Sequence, residues 1–312
     1  MKAPQHLPAR ALLRPRSGSI RAGRMEHNNG LSIPTSYMPK ISAYIIAYNE
    51  AEKIADAIRS VAWADEVIVA DSHSKDGTAR IAESLGARVV QIDFQGFGKL
   101  RNDAIAACTH EWIFSLDSDE RCTPEAAREL RDCAAQGEHG AFFVPRRNFF
   151  LGREIRHSGW TPNYRQPQLF RKGAMQYENS PVHEGYELAP GVTTGKLRNA
   201  IWQLPFRDLA ESLHKMNRYS SLGSTKARQA GSSYGRALGH GLWAFVRHWV
   251  FKRGFLDGWP GFIIALSYFE VTFYRYAKAV ELQRQQGWME DWKHITGAQL
   301  HKADTVVTEP NR

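Results

Sequence analysis

Apolar and polar positions from Lys40 onward fall into short runs of two alternating kinds. KISAYIIAYNE carries a largely apolar run from Ile41 to Ala47 that ends in Tyr48, Asn49 and Glu50. AEKIADAIRSVAWA then places Ile54, Ala57, Ile58 and Val61 at the three-and-four spacing of an amphipathic helix. EVIVADSHSKDGT predicts a second short buried strand ending in Asp71, and TARIAESLGA a helix closed by Gly86. ARVVQI reads as a third strand, GKLRNDAIAACT as a third helix and EWIFSLD as a fourth strand. Strand and helix alternating in this way predict a mostly parallel sheet covered by helices.

In such sheets ligands bind outside the carboxyl ends of the strands. Three of these strands end in polar clusters: Tyr48-Asn49-Glu50, Asp71-Ser72 and Asp117-Ser118-Asp119-Glu120. Alternation along an extended segment puts Asp117 and Asp119 on one side, so two like charges meet at a strand end. That is unfavourable unless a positive group is expected there. Beyond Pro124 the pattern gives a short helix, EAARELRDCAAQ, and then AFFVPRRNFFLG, a strand followed by a bend. From Arg153 to Gln203 the chain is richer in Gly, Pro, His and aromatic residues and reads as short strands and loops suited to shaping a substrate pocket. The helical period returns at Asp208.

Composition narrows the class. A chain of 312 residues that is 43% hydrophobic can bury a core. Its 41 Lys and Arg against 32 Asp and Glu give a net charge of +9, which favours polyanionic partners: nucleic acid, anionic lipid or a phosphorylated substrate. Cys108, Cys122 and Cys133 are odd in number and lack a CxxC spacing, so they read as reduced thiols, neither a disulfide framework nor a zinc site. Residues 1–38 carry Arg10, Arg14, Arg16, Arg21 and Arg24 without the apolar core of a signal peptide. A disordered basic leader is expected, or a start placed too early, with Met25 or Met38 as the true one.

Two carboxylates at a strand end suit a divalent Mg2+ or Mn2+ ion, which takes hard oxygen ligands and completes its shell with substrate phosphates and water. Such an ion neutralises the charge on a departing nucleoside diphosphate. Lys99 and Arg101, in FGKLRNDAI, begin the preceding helix, where they can reach a phosphate together with the helix N-terminus. The chain has no GxxxxGK[ST] and no complete GxGxxG after a strand, which disfavours a P-loop kinase and a dinucleotide-binding dehydrogenase.

IIAYNEAEKIADAIRSV, VIVADSHSKDGTARIAESLGARV, GFGKLRNDAIAAC, WIFSLDSDER and SPVHEG together resemble the family-2 glycosyltransferases of GT-A fold, over roughly Lys40 to Gln203. With QLFRKG and VHEG downstream, the arrangement is most similar to the lipopolysaccharide core β-1,4-glucosyltransferase subgroup. The resemblance implies an α/β GT-A domain at 39–205, and the returning helical period gives a C-terminal amphipathic helical extension at 206–290 and a tail at 291–312. It implies inverting transfer of a hexose, glucose in this subgroup, from a nucleotide-sugar donor, UDP-glucose before GDP or dTDP sugars. Ala47, Tyr48, Asn49 and Glu50 would then line the base and ribose, although many relatives carry Pro in place of Tyr48. Asp71 would hold the uracil or ribose edge, Lys99 and Arg101 would lie beside the nucleotide, Asp117 would contact ribose or metal, and Asp119 would be the principal metal ligand. Inversion needs a base opposite the leaving group. Glu184 is the leading candidate, with Asp119 and Glu120 as alternatives and His183 as a third metal ligand or acceptor contact. Arg165, Gln168 and Arg171, in YRQPQLFRKG, are expected to cover the acceptor. The processive QxxRW motif is absent, which favours addition of one sugar.

The stretch from Tyr234 to Leu282 is the most aromatic part of the chain, and its apolar residues are interrupted by Arg247, His248, Lys252, Arg253, Asp257, Glu270 and Arg275. No run approaches the ~20 apolar residues of a spanning helix. Aromatic residues interleaved with cations suit helices lying in a membrane interface, or helices packed on the first domain or a second subunit. No nucleic-acid recognition motif accompanies them. The expected protein is cytoplasmic and peripheral on the inner face of the membrane, acting on a lipid-linked saccharide of the lipopolysaccharide core. Two alternatives remain open: a lipid-phosphate or capsular acceptor, and a non-catalytic protein that binds nucleotide sugars or polyanions.

Overall fold

The computed structural model describes residues 38–161, 164–178 and 185–284, all within one compact unit that begins at Met38. The predicted alternation appears as β1 (Ile41–Ala47), α1 (Ile54–Ser60), β2 (Glu66–Asp71), α2 (Thr78–Ser84), β3 (Arg88–Gln91), α3 (Phe97–Ala107) and β4 (Trp112–Asp117). After β5 (Glu120–Arg121) comes α4 (Pro124–Gln136), which begins because Thr123 accepts a hydrogen bond from Ala126 N at 3.2 Å and Pro124 occupies the first turn. The remaining strands are short: β6 (Ala141–Phe143), β7 (Arg146–Phe150), β8 (Arg153–Ile155), β9 (Pro167–Arg171), β10 (Met175–Tyr177), β11 (Tyr186–Leu188), β12 (Thr194–Lys196) and β13 (Ile201–Gln203).

The main sheet has seven strands in the order β12-β6-β9-β4-β1-β2-β3. It is mostly parallel, as expected; β9 is the exception and runs antiparallel to both β4 and β6. Because side chains alternate, one face of β1 and β4 presents Ile41, Ala43, Ile45, Trp112, Phe114 and Leu116 to α1, α2 and α4. The other face presents Tyr44 and Ile113 to α3 and to the small β10-β11 hairpin. AFFVPRRNFFLG, expected as one strand and a bend, divides between two sheets: β6 joins the main one, while β7 joins β5, β13 and β8. The three cysteines are free, and burial pushes the Cys108 and Cys122 thiols up to about 12.

Helices α5 (Leu209–Gln229), α6 (Tyr234–Val246) and α7 (Trp259–Gln283) form an array in which α7 packs on both of the others. A π-helical turn at Arg247–Phe251 and a 3-10 turn at Gly254–Asp257 join α6 to α7. Small residues permit the close approach: Gly241 lies against Phe269, and Lys278 Nζ reaches Asn217 Oδ1 and Ser221 Oγ of α5 at 2.6 and 2.8 Å. The array is tied to the sheet domain by Ile264, which packs with Phe150 and Ile155, and by Asp257. The Asp257 carboxylate accepts hydrogen bonds from Arg156 N, His157 N and Ser158 Oγ. Among the described residues no helix is long and apolar enough to cross a membrane.

Candidate active site

Register brings the predicted strand ends to one edge. Ala47 pairs with Asp71 across β1 and β2, and Ile46 pairs with Asp117 across β1 and β4. The loops above them are stitched together by short polar side chains. Asn49 takes a left-handed backbone with φ of 54°, its N–H donates to Ser74 Oγ, and its Oδ1 accepts from Lys75 N at 2.9 Å. Glu50 N and Ala51 N donate to Thr78 Oγ1 and Asp76 Oδ2. Gly77, with φ of 92°, makes the turn into α2 that a side chain would strain. Asp71 is buried, and both of its oxygens accept from Ser74, so its carboxylate fixes this loop from within. Ala47 is buried too, whereas Tyr48 is 59% exposed and free to meet a ligand.

The chain leaves β4 at Asp117 and turns at Ser118 and Asp119, so the expected strand alternation does not extend through the acidic cluster. The three acids consequently occupy different environments. Glu120 is completely buried and accepts from Arg146 Nε of β7, from Gln168 Nε2 at 2.9 Å and from Asp117 N at 3.1 Å. It is a structural anchor, which removes it as a base. Asp117 accepts from Arg101 Nη2 at 2.8 Å. Burial pushes the Asp117 carboxyl up, but the Arg101 guanidinium outweighs it and holds the group below the usual carboxylate range. Asp119 has no such partner: among the described residues nothing donates a hydrogen bond to its carboxylate, and only its carbonyl is engaged, by Leu204 N at 2.8 Å. Burial first, then the charges of Asp117 and Glu120, push its pKa up to about 7, with Lys215 and Lys53 only partly offsetting them. Two of the three acids are therefore neutralised by arginines, and Asp119 is left with uncompensated charge.

That imbalance fits a divalent cation. Asp119 with Asp117 offers the one or two carboxylates that a phosphate-sharing Mg2+ or Mn2+ site uses. Among the described residues no third His, Cys, Asp or Glu joins them, and His183 and Glu184 lie outside those residues. Lys99 and Arg101 part company despite their closeness in sequence. Arg101, with only 6% of its side chain exposed, sits beneath the acids against Ser115 and over the Tyr177 ring, while Lys99 pairs with Asp103 one turn along α3. Arg101 thus acts as the counter-ion of Asp117, a role its sequence position does not display.

The expected acceptor trio also divides. Arg165 contributes favourably to the field at Asp117. Gln168 is buried and supports Glu120, and Arg171 pairs with Trp112 in register at the opposite end of β4, bound to Glu111. Gln168 is sealed behind Glu120, and the antiparallel run of β9 carries Arg171 away from the site, so neither covers an acceptor. Sequence reasoning missed Lys53 and the start of α5. Lys53 Nζ contacts Glu211 at 2.5 Å and Glu50 at 3.9 Å, and Lys215 contacts Glu211 at 3.4 Å. Burial raises the Glu50 carboxyl above its ordinary value despite these two lysines. They form a basic wall beside Asp119 drawn from elements about 160 residues apart. Only the amphipathic restart at Asp208 signalled it.

A family model for glycosyl transferase family 2 matches residues 42–187, the segment that supplies this edge. An uncharacterized glycosyltransferase of Rickettsia bellii is 30% identical over 87% of the chain and 94% of its own length. The chain belongs to glycosyltransferase family 2. A lipopolysaccharide core biosynthesis glycosyltransferase, LpsC of Rhizobium meliloti, is 32% identical over 62% of this glycosyltransferase and 74% of its own length. Among solved structures, glucosyl-3-phosphoglycerate synthase from Mycobacterium tuberculosis, in complex with Mn2+, UDP and glucosyl-3-phosphoglycerate, is 29% identical with a TM-score of 0.31, over 36% of this chain and 44% of that one. The chain thus spans nearly all of the Rickettsia relative but less than half of that synthase. Family membership makes the protein a nucleotide-sugar transferase of GT-A fold, with helices appended after the sheet domain.

Proposed function

We propose that this glycosyltransferase moves a hexose, glucose from UDP-glucose, with inversion, onto a lipid-linked saccharide of the lipopolysaccharide core, at the inner face of the cytoplasmic membrane. The observation that carries the reaction is the unneutralised Asp119 at the carboxyl edge of the sheet, beside an Asp117 held ionised by Arg101. Asp119 and Asp117 would hold a divalent ion, which would supply charge neutralisation to the departing diphosphate. Arg101 keeps Asp117 ionised and in place, and Lys53 with Lys215 adds positive potential on the α5 side. The acceptor oxygen bonds to the anomeric carbon as the bond from that carbon to the diphosphate oxygen breaks. UDP leaves with the electron pair, and the hydroxyl proton passes to a base, assigned to Glu184. Tyr48, exposed at the end of β1, is assigned to the nucleotide base, a role its exposure supports.

The acceptor assignment rests on similarity to LpsC and on the surface of the helical array. Trp259, Phe251 and Trp243 are 76%, 64% and 56% exposed, and Leu238, Leu242 and Val250 are about half exposed beside them. Such a surface is costly in water and suits a bilayer interface, where aromatic rings sit at headgroup level.

The test is binding and hydrolysis of UDP-glucose and other nucleotide sugars by the purified protein in Mn2+ or Mg2+, then in chelator. Metal-dependent binding with slow hydrolysis is expected, and Asp119→Ala should abolish both while the protein stays folded. Failure to bind any nucleotide sugar overturns the transfer assignment and favours a polyanion-binding protein.

A further inference from the structure

We propose that the cleft between α6 and α7 is a binding pocket for the phosphate of an anionic membrane-lipid headgroup. The cleft has a volume of about 330 Å3, and its lining includes Arg247, Arg275, His240, His248 and Thr272 but no Asp or Glu. Among the described residues neither arginine forms an ion pair, so the two cations line the cleft without a carboxylate beside them. Two cations lining one cleft without a counter-ion repel each other, and an anion seated between them relieves that cost. The guanidinium fork also matches a phosphate in geometry.

The walls are fixed in advance of any ligand. Arg275 lies against the bare backbone of Gly223 in α5, where an added Cβ would come within 2.6 Å of Nε. His240 stacks on Tyr276 with ring centroids 4.7 Å apart, and His248 stacks on Tyr268 at 3.5 Å. His248 Nδ1 donates to the Ser158 carbonyl at 2.9 Å. Burial, together with the nearby Arg247 and Lys252, holds the His248 imidazole below its ordinary value, so at neutral pH it is uncharged and the cleft's positive charge comes from the arginines.

The neighbouring surface selects a lipid over free phosphate. Trp243 lines the cleft and is also part of an exposed apolar strip through Leu242, Val246, Val250 and Phe251, followed by Lys252 and Arg253. A phosphate seated between the arginines as part of a lipid leaves its glycerol and chains beside that strip, and cations near the surface add attraction to an anionic leaflet. This deepens the membrane assignment made above and is independent of the identity of the donor sugar.

The full chain is tested by flotation with vesicles of phosphatidylcholine alone or mixed with phosphatidylglycerol. Wild type should partition onto the mixed vesicles roughly tenfold more strongly. Arg247→Gln/Arg275→Gln should lose that preference, and Thr272→Trp, which fills the cleft without changing charge, should lose it as well. UDP-glucose binding in solution and the melting temperature should be unchanged in both. If the double variant does not fold, Thr272→Trp and Arg247→Gln alone carry the test. The pocket assignment is overturned if wild type shows no preference for phosphatidylglycerol or if Thr272→Trp floats as wild type does. It is equally overturned if inorganic phosphate raises the melting temperature of wild type while Arg247→Gln/Arg275→Gln and Thr272→Trp float as wild type does, which would make free phosphate the ligand. Loss of UDP-glucose binding by wild type would instead remove the transfer assignment and leave the vesicle result standing.

Discussion

Replacing Asp119 by asparagine keeps the shape of the side chain and removes the one charge of the Asp117-Asp119-Glu120 cluster that has no guanidinium hydrogen-bonded to it among the described residues. The wild-type carboxyl is raised from the ordinary 3.8 to about 7 by burial and by Asp117 and Glu120. Between those values the folded protein binds a proton that the unfolded chain has released, so the group's contribution to stability falls as pH rises from about 4 and levels off above about 7. The difference between 3.8 and about 7 corresponds to a ceiling of about 4 kcal/mol. Asp119 retains some exposure to solvent, which screens its neighbours' charges, so the expected difference is about 1–2 kcal/mol. In chelator at about pH 8, Asp119→Asn should therefore melt about 3–6 °C above wild type. The gap should narrow toward about pH 5, because wild type recovers stability as Asp119 takes up its proton. Mn2+ should raise the wild-type midpoint and leave the variant's unchanged. Equal midpoints at both pH values would refute the electrostatic argument, and equal stabilisation of the variant by Mn2+ would refute the ligand assignment.

Arg146→Met leaves Glu120 as an uncompensated buried charge and should cost about 3–5 kcal/mol in urea unfolding; adding Glu120→Gln should recover much of it, and an equal loss in the double variant would count against a paired charge. Arg101→Gln should raise the Asp117 carboxyl, moving the acidic limb of the pH profile of metal-dependent UDP-glucose binding to higher pH; an unmoved limb would show that Arg101 does not set that ionisation. Asp257→Ala removes the acceptor of the Arg156 and His157 amides, so exchange at Arg156 and His157 should rise by roughly tenfold, measured by mass spectrometry. Phe251→Ser with Trp259→Ser should weaken binding to phosphatidylcholine and phosphatidylglycerol vesicles alike, since apolar insertion does not depend on headgroup charge.

Much of the architecture could be read from the chain because it depends on local periodicity. Ile41–Ala47, Glu66–Asp71 and Trp112–Asp117 are strands whose apolar content reflects burial on both faces, and the helices between them carry three-and-four spacing. Parallel pairing then obliges Asn49, Asp71 and Asp117 to meet at one edge, so the position of the site followed from sequence. The separate roles of the acids at that edge did not. Asp117, Asp119 and Glu120 are nearly identical in chemistry and adjacent in sequence, yet Arg101, Arg146 and Gln168, brought in from α3, β7 and β9, make one an ionised partner, one a sealed anchor and one an uncompensated charge. Arg171 shows the same limit: its motif suggested the acceptor, but antiparallel β9 carries it to the far end of β4. Amphipathic spacing likewise announced the C-terminal helices, while the pairing of α6 with α7 placed Arg247 and Arg275 around one cleft. Sequence determined the elements and the edge because periodicity and strand direction act over a few residues; tertiary structure alone decided the charges, because electrostatic environment is set by whichever distant side chains packing brings within a few ångströms.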